Sequence, residues 1–128
     1  MLYGSARITA IDAEGKSFVA DTKKNDLWFF PSGVPHSIQG LNPDGCEFLL
    51  VFDDGDFSES ETVLLSDSMN HLPLEVLAKN FNVGENAFAN LPRQELFIFK
   101  TDVPGKVEDD QKIAAGALGK SPLDCGGY

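Results

Sequence analysis

What most constrains the fold is the punctuation of the first half of the chain: short apolar stretches, each closed by turn chemistry. Residues 2–11 read as a strand of small and branched side chains without proline. Asp12-Ala13-Glu14-Gly15 is a turn signal, and residues 16–20 return antiparallel as its hairpin partner. Leu27-Trp28-Phe29-Phe30 is a short, densely apolar strand. Pro31-Ser32-Gly33 stops it, because proline presets φ and glycine takes the conformation other residues resist. Residues 36–39 form another brief strand, Asn42-Pro43-Asp44-Gly45 another turn, and residues 47–52 read as the best-buried strand of all. Short strands at this spacing predict an antiparallel sandwich or barrel. Ten phenylalanines, all within the first hundred residues, suit a core between β layers.

The pattern changes after Phe52. Residues 53–61 hold five acids (Asp53, Asp54, Asp56, Glu59 and Glu61) and no base, which predicts a solvated loop. Asp67 or Ser68 is a candidate cap for the region leading to Pro73, which suits the first turn of a helix running to about Asn80. Leu74, Leu77 and Ala78 give it an apolar stripe. Residues 83–91 read as a second short helix and residues 95–99 as a final extended segment. Beyond them the glycines and prolines read as a flexible linker or tail over residues 101–128, leaving residues 1–100 as the domain. Some five strands are too few for a closed barrel or two-sheet sandwich, so the β part looks incomplete.

Charge narrows the function. Ten basic against twenty acidic residues leave a formal net charge of −10, which speaks against a nucleic-acid partner. Arg7 and Arg93 are the only arginines, too few for a multi-arginine anion clamp. The longest apolar runs are far too short to span a bilayer, so no membrane partner is expected. No signal peptide is visible at Met1, and the compartment is left open between cytoplasmic and secreted. Cys46 and Cys125 cannot make a disulfide framework.

His36 is the first candidate for chemistry. The rigid turn before it would aim its side chain reproducibly, and neutral imidazole is the commonest metal ligand. Taken alone, such a histidine is more often one bonded to a backbone carbonyl in a core or at a strand edge. Residues 25–40 change those odds, because they resemble the second conserved motif of the cupins, G-x5-P-x-G-x2-H-x3-N. Pro31, Gly33 and His36 hold its Pro, Gly and His positions, while Asn25 and Gly40 depart from its ends. In that family the histidine is one of four protein ligands of a mononuclear metal, usually manganese in the oxalate-degrading members.

The resemblance extends further. Asp26-Leu27-Trp28-Phe29-Phe30-Pro31, Pro35-His36-Ser37-Ile38-Gln39-Gly40 and residues 45–55 are similar to the N-terminal cupin of bicupin oxalate decarboxylases. So are Leu77-Ala78-Lys79-Asn80-Phe81 and Ala87-Phe88-Ala89-Asn90-Leu91-Pro92. The likeness runs from Met1 to about Gly105. It implies a mainly β fold: a partial double-stranded β-helix, the cupin jelly roll, with two short helices after the strands.

The resemblance also places the acidic loop. Ser58-Glu59-Ser60-Glu61-Thr62 is similar to the decarboxylase lid, Ser-Glu-Asn-Ser-Thr. The lid glutamate falls on Glu59, implying a proton donor or relay once carbon dioxide has left. Ser60 and Glu61 replace the family's Asn and Ser, which leaves lid packing and proton affinity open. Of the first cupin motif, G-x5-H-x-H-x3,4-E-x6-G, only the final Gly is matched, by Gly4. The motif's Glu and both its histidines would precede Met1, and so would the substrate-clamping arginine. The chain is therefore expected to be the second half of an N-terminal cupin plus the start of an interdomain linker. His71 and Trp28 are expected to pack, Cys46 to behave as a small hydrophobe, and Cys125 to be a free thiol.

The implied parent reaction converts oxalate to formate and carbon dioxide at manganese. The isolated chain is expected to bind that metal weakly or not at all and to be inactive. It is expected to self-associate or to pair with a complementary cupin half. Two alternatives stand beside this: a non-catalytic cupin-like binding or structural module, and an oxalate oxidase or germin-like activity. Stoichiometric manganese in purified chain would favour an enzyme, and metal-free protein the module.

Overall fold

Three strands, β1 (Ser5–Ile11), β2 (Ser17–Lys23) and β3 (His36–Gly40), precede three short helices, α1 (Leu65–His71), α2 (Leu74–Phe81) and α3 (Val107–Gly116). The computed structural model describes residues 1–94 and 97–116. Two compact units divide the chain: residues 1–51 together with the chain from Asp102 onward, and residues 52–101.

In the first unit the predicted hairpin forms. The Asp12 carboxylate accepts from the Lys16 N–H at 2.8 Å and its carbonyl from the Gly15 N–H at 3.0 Å, closing the turn. β3 joins the other edge of β1, so the antiparallel sheet runs β2-β1-β3. Register sets Ala6, Ile8 and Ala10 beside Thr22, Ala20 and Phe18 on one neighbour, and beside Gly40, Ile38 and His36 on the other. Side chains alternate between faces along a strand, so these residues share one face. That face carries the core: buried Met1, Ala6 and Ile8, with Phe18, Trp28, Phe30, Ile38, Cys46 and Phe48 packed against them.

The opposite face of β1 is occupied by a charge. Arg7 is only 2% exposed, and a guanidinium out of water must be paired to be tolerated. Asp21, directly across in β2, takes two of its N–H groups at 2.8 and 3.1 Å, and Asp110 of α3 takes a third at 2.6 Å. Hydrogen bonds to Asp21 are the main reason the Arg7 pKa is raised still further above its usual range, against the opposing effect of burial. Gln111 donates to the Val19 carbonyl at 2.9 Å, one residue along α3. Residues 107–116, read from sequence as linker or tail, are thus a helix set on β2; the chain beyond residue 116, with Cys125, lies outside the described residues.

Met1 to Ser5 is tied to the turn after β3. Tyr3 and Glu47 pair as an isolated antiparallel bridge, and Asn42 Oδ1 accepts from both the amide and the hydroxyl of Ser5 at 2.9 and 2.8 Å. The Tyr3 hydroxyl donates to the Asp44 carboxylate, which raises the phenol's pKa. Gly4 sits between these contacts at φ +70°, and a Cβ there would lie 2.8 Å from the Gly45 carbonyl oxygen. Only glycine fits such a backbone in so little space.

Two sequence expectations are corrected in this unit. Residues 27–30 are not laddered into the sheet, although their side chains still alternate, Trp28 and Phe30 inward, Leu27 and Phe29 95% and 74% exposed. Residues 47–52 are not a buried strand. Glu47 makes its bridge, but Leu49 is 72% and Val51 85% exposed. A strand is buried by its neighbours, and no described strand lies alongside this one. The phenylalanine core is correspondingly partial: Phe29, Phe52, Phe57, Phe81, Phe97 and Phe99 are exposed.

In the second unit the predicted helix forms as α2, preceded by α1, inside which Asp67 and Ser68 lie instead of capping it. Proline has no N–H to continue the α1 ladder, so the chain breaks at Leu72-Pro73 and α2 starts afresh. α2 ends at Asn82 in the left-handed conformation (φ +53°), with the Val83 N–H reaching back to the Ala78 carbonyl at 3.1 Å. Leu77 is its buried residue. The helix expected over residues 83–91 is a 3-10 turn, Glu85–Phe88, with the rings of Phe81 and Phe88 5.6 Å apart. Of the expected extended segment over residues 95–99, Glu95 and Leu96 lie outside the described residues, and Phe97, Ile98 and Phe99 are exposed and not in a strand.

Candidate metal-ligand and lid residues

His36 is the first residue of β3, and the turn before it fixes where its side chain starts. Val34 N–H donates to the Pro31 carbonyl at 3.2 Å, Gly33 adopts φ +79°, and the Ile11 amide donates to the Pro35 carbonyl at 3.0 Å. His36 therefore stands at the end of the sheet face that carries Ile8 and Ile38. Its Nδ1 lies 2.8 Å from the Val34 carbonyl oxygen, and the Phe30 ring stacks on the imidazole with centroids 3.9 Å apart. A carbonyl only accepts, so Nδ1 carries a proton and, in the neutral ring, Nε2 keeps its lone pair. A metal-binding imidazole takes this form, its second nitrogen donating to a backbone carbonyl.

His36 fits manganese as one ligand. Among the described residues there is no group of three or more His, Cys, Asp or Glu side chains able to hold a metal ion. Metal sites draw on several protein ligands, so His36 by itself could be one ligand of such a centre and not the centre. Phe30 and the Val34 carbonyl were missed in the sequence. The spacing of Trp28 and Phe30 marks them as inward-facing, but nothing in it indicates a ring stack.

Glu59 opens a 3-10 turn, Glu59–Glu61, inside the acidic loop and within the second unit. The Ser58 carbonyl accepts from the Glu61 amide at 3.2 Å and from the Thr62 hydroxyl at 3.4 Å, and the Glu59 carbonyl accepts from the Thr62 amide at 3.1 Å. The rings of Phe52 and Phe57 stack 3.7 Å apart at the base of the loop. Glu59 and Glu61 are exposed, as five close acids demand; the Ser60 side chain lies outside the described residues. His36 and Glu59 belong to different units, and each is described within its own. His71 bonds within α1, its Nδ1 2.9 Å from the Asp67 carbonyl oxygen and 3.3 Å from the Asp67 carboxylate. It also lines a cleft of about 570 Å3 with Arg93, Phe88 and Leu91.

The cupin family profile matches residues 1–89. The chain belongs to the cupin family. It is 52% identical over 122 residues to the oxalate decarboxylase of Bacillus subtilis (strain 168), covering 95% of this chain and 31% of that protein. A probable oxalate decarboxylase of Arthroderma benhamiae is 36% identical over 104 residues, covering 80% of this chain and 26% of that protein. The structure of the Bacillus subtilis oxalate decarboxylase at pH 4.6 superposes with a TM-score of 0.80 at 54% identity, over 86% of this chain and 28% of that one. A structure of that enzyme used to study its Mn(II) centres gives 0.81 at 53% identity, over 86% and 29%. This cupin chain is thus a mainly β, partial jelly roll similar to oxalate decarboxylases, and it spans about three-tenths of their length.

Proposed function

We propose that this chain is the second-motif part of an oxalate decarboxylase-like cupin, converting oxalate to formate and carbon dioxide. The observation that carries the reading is His36: in a chain 52% identical to an oxalate decarboxylase, its Nδ1 is committed to Val34 and its Nε2 is left for a metal. Residues 1–100 then form the cupin portion, with α3 packed onto it through Asp110 and Gln111. The relatives' Mn(II) centres support manganese as the metal. Bound, it would hold oxalate by its oxygens and supply the redox chemistry.

The chain's own contribution follows from chemistry. When carbon dioxide leaves oxalate, the remaining carboxyl carbon needs one proton to become formate. Glu59, on an exposed loop flanked by Ser58, Ser60, Glu61 and Thr62, is an acid able to deliver it on closure. The further ligands that such a centre needs are ones that the described residues do not supply, and a polypeptide bearing the first cupin motif can provide them. A non-catalytic cupin-like module is the second reading, favoured by the lone ligand among the described residues.

The test supplies the chain with a polypeptide bearing the first cupin motif, plus manganese and oxalate, and measures formate. The chain alone gives none, the pair gives formate, and Glu59→Gln keeps manganese while losing formate by roughly a hundredfold or more, the scale of a general-acid role. Metal-loaded pairs without turnover would establish the module instead. Full turnover by the Glu59→Gln pair would remove Glu59 from the chemistry.

A further inference from the structure

The Val34 hydrogen bond and the Phe30 stack restrain the His36 ring in complementary ways. A hydrogen bond at Nδ1 fixes one in-plane direction but lets the ring swing about the Nδ1···O axis. A face-to-face stack fixes the plane but lets the ring turn within it. With Nδ1 2.8 Å from the Val34 oxygen and Phe30 stacked at 3.9 Å and 17°, both freedoms close and Nε2 has one direction. Each restraint is itself anchored. Phe30 packs against the Met1, Ala6 and Ile8 core, and Val34 lies between the Pro31–Val34 turn and the Pro35 carbonyl tied to Ile11. His71 provides an internal contrast. Its Nδ1 lies 2.9 Å from a backbone carbonyl as well, yet among the described residues no ring stacks on it.

We infer that Phe30 is a positioning residue, whose stacked ring fixes the plane of the His36 imidazole so that Nε2 is aimed in one direction before any metal arrives. Its use as a ligand rests on the function proposed above; the restraint itself does not. An aliphatic side chain of similar size would fill the same space without supplying a plane for the imidazole to lie against.

The experiment uses the metal-free chain, labelled with 15N and 13C in histidine, at a pH of about 8 where imidazole is neutral. Long-range 15N couplings read the tautomer, and 13C relaxation reads ring mobility. In the unaltered chain His36 favours Nδ1–H by roughly five- to tenfold, as one net hydrogen bond provides. Its ring is as ordered as rigid backbone (order parameter about 0.85), while the His71 ring falls below about 0.6. Phe30→Tyr keeps both properties, and Phe30→Leu keeps the tautomer but loses the ring order while the amide shifts of β1 and β2 stay in place. Equal order at His36 and His71 in the unaltered chain overturns the inference even if Phe30→Leu does not fold. Retention of ring order in a folded Phe30→Leu chain overturns it too, reducing Phe30 to packing. Failure of His36 to bind manganese in the reconstituted pair would instead overturn the proposed function and leave these signals unchanged.

Discussion

Gly4 shows how much one residue without a side chain can determine. It lies where the chain enters β1, with the Asn42–Gly45 turn pressed against it. A methyl group there meets the Gly45 carbonyl oxygen at 2.8 Å, in a backbone conformation that L residues resist. Gly4→Ala is therefore expected to cost about 2 kcal/mol or more, combining a left-handed φ with a clash against backbone that cannot rotate away. Urea unfolding measures it, and an unchanged midpoint would show that the turn gives way easily. The same residue matches the last position of the first cupin motif, so the motif glycine has a steric reason in this chain. The turn before His36 was equally legible, because Pro31, Gly33 and His36 lie close in sequence and their geometry is local. Phe30's stack was not legible, because ring orientation depends on packing that spacing does not encode.

At the scale of elements, the hairpin and β3 followed from turn chemistry, and the start of α2 from Pro73, which suits a first helical turn. α3 escaped the sequence reading because its reason lies elsewhere in the chain. Glu108, Asp109 and Asp110 look like solvated acids until Arg7, far upstream, is seen buried beneath Asp110. Removing that carboxylate tests the docking. Ala is a better helix former than Asp, so propensity alone predicts that Asp110→Ala strengthens α3. The pairing predicts the opposite. The carboxylate is 40% exposed and Arg7 keeps Asp21, so the loss is about 1 kcal/mol. Limited trypsin digestion reads it, with cleavage at Lys106 and Lys112 expected to quicken by about fivefold. Unchanged cleavage would mean that α3 is held by other contacts.

At the scale of the molecule, the misread strands are informative. Residues 27–30 and 47–52 have sequences made for burial, yet Leu27, Phe29, Leu49 and Val51 face solvent. Their apolarity was legible; what covers them was not, since burial is a property of neighbours. Each large apolar side chain left in water forgoes about 1.5–3 kcal/mol, against a total domain stability of about 5–15 kcal/mol. In the absence of a complementary half, a second copy of the chain is the available cover. Sedimentation at micromolar concentration is expected to show species heavier than the 13.9 kDa monomer. A strict monomer with one sharp thermal transition would show that the chain closes its own core. The central claim, that His36 is one ligand of a centre completed by a complementary half, is tested most directly by metal stoichiometry. Manganese is counted in the purified pair of this chain and a first-motif polypeptide, with and without His36→Ala. The account predicts about one manganese per intact pair and a loss of at least tenfold in occupancy with His36→Ala; equal occupancy in the two would contradict it.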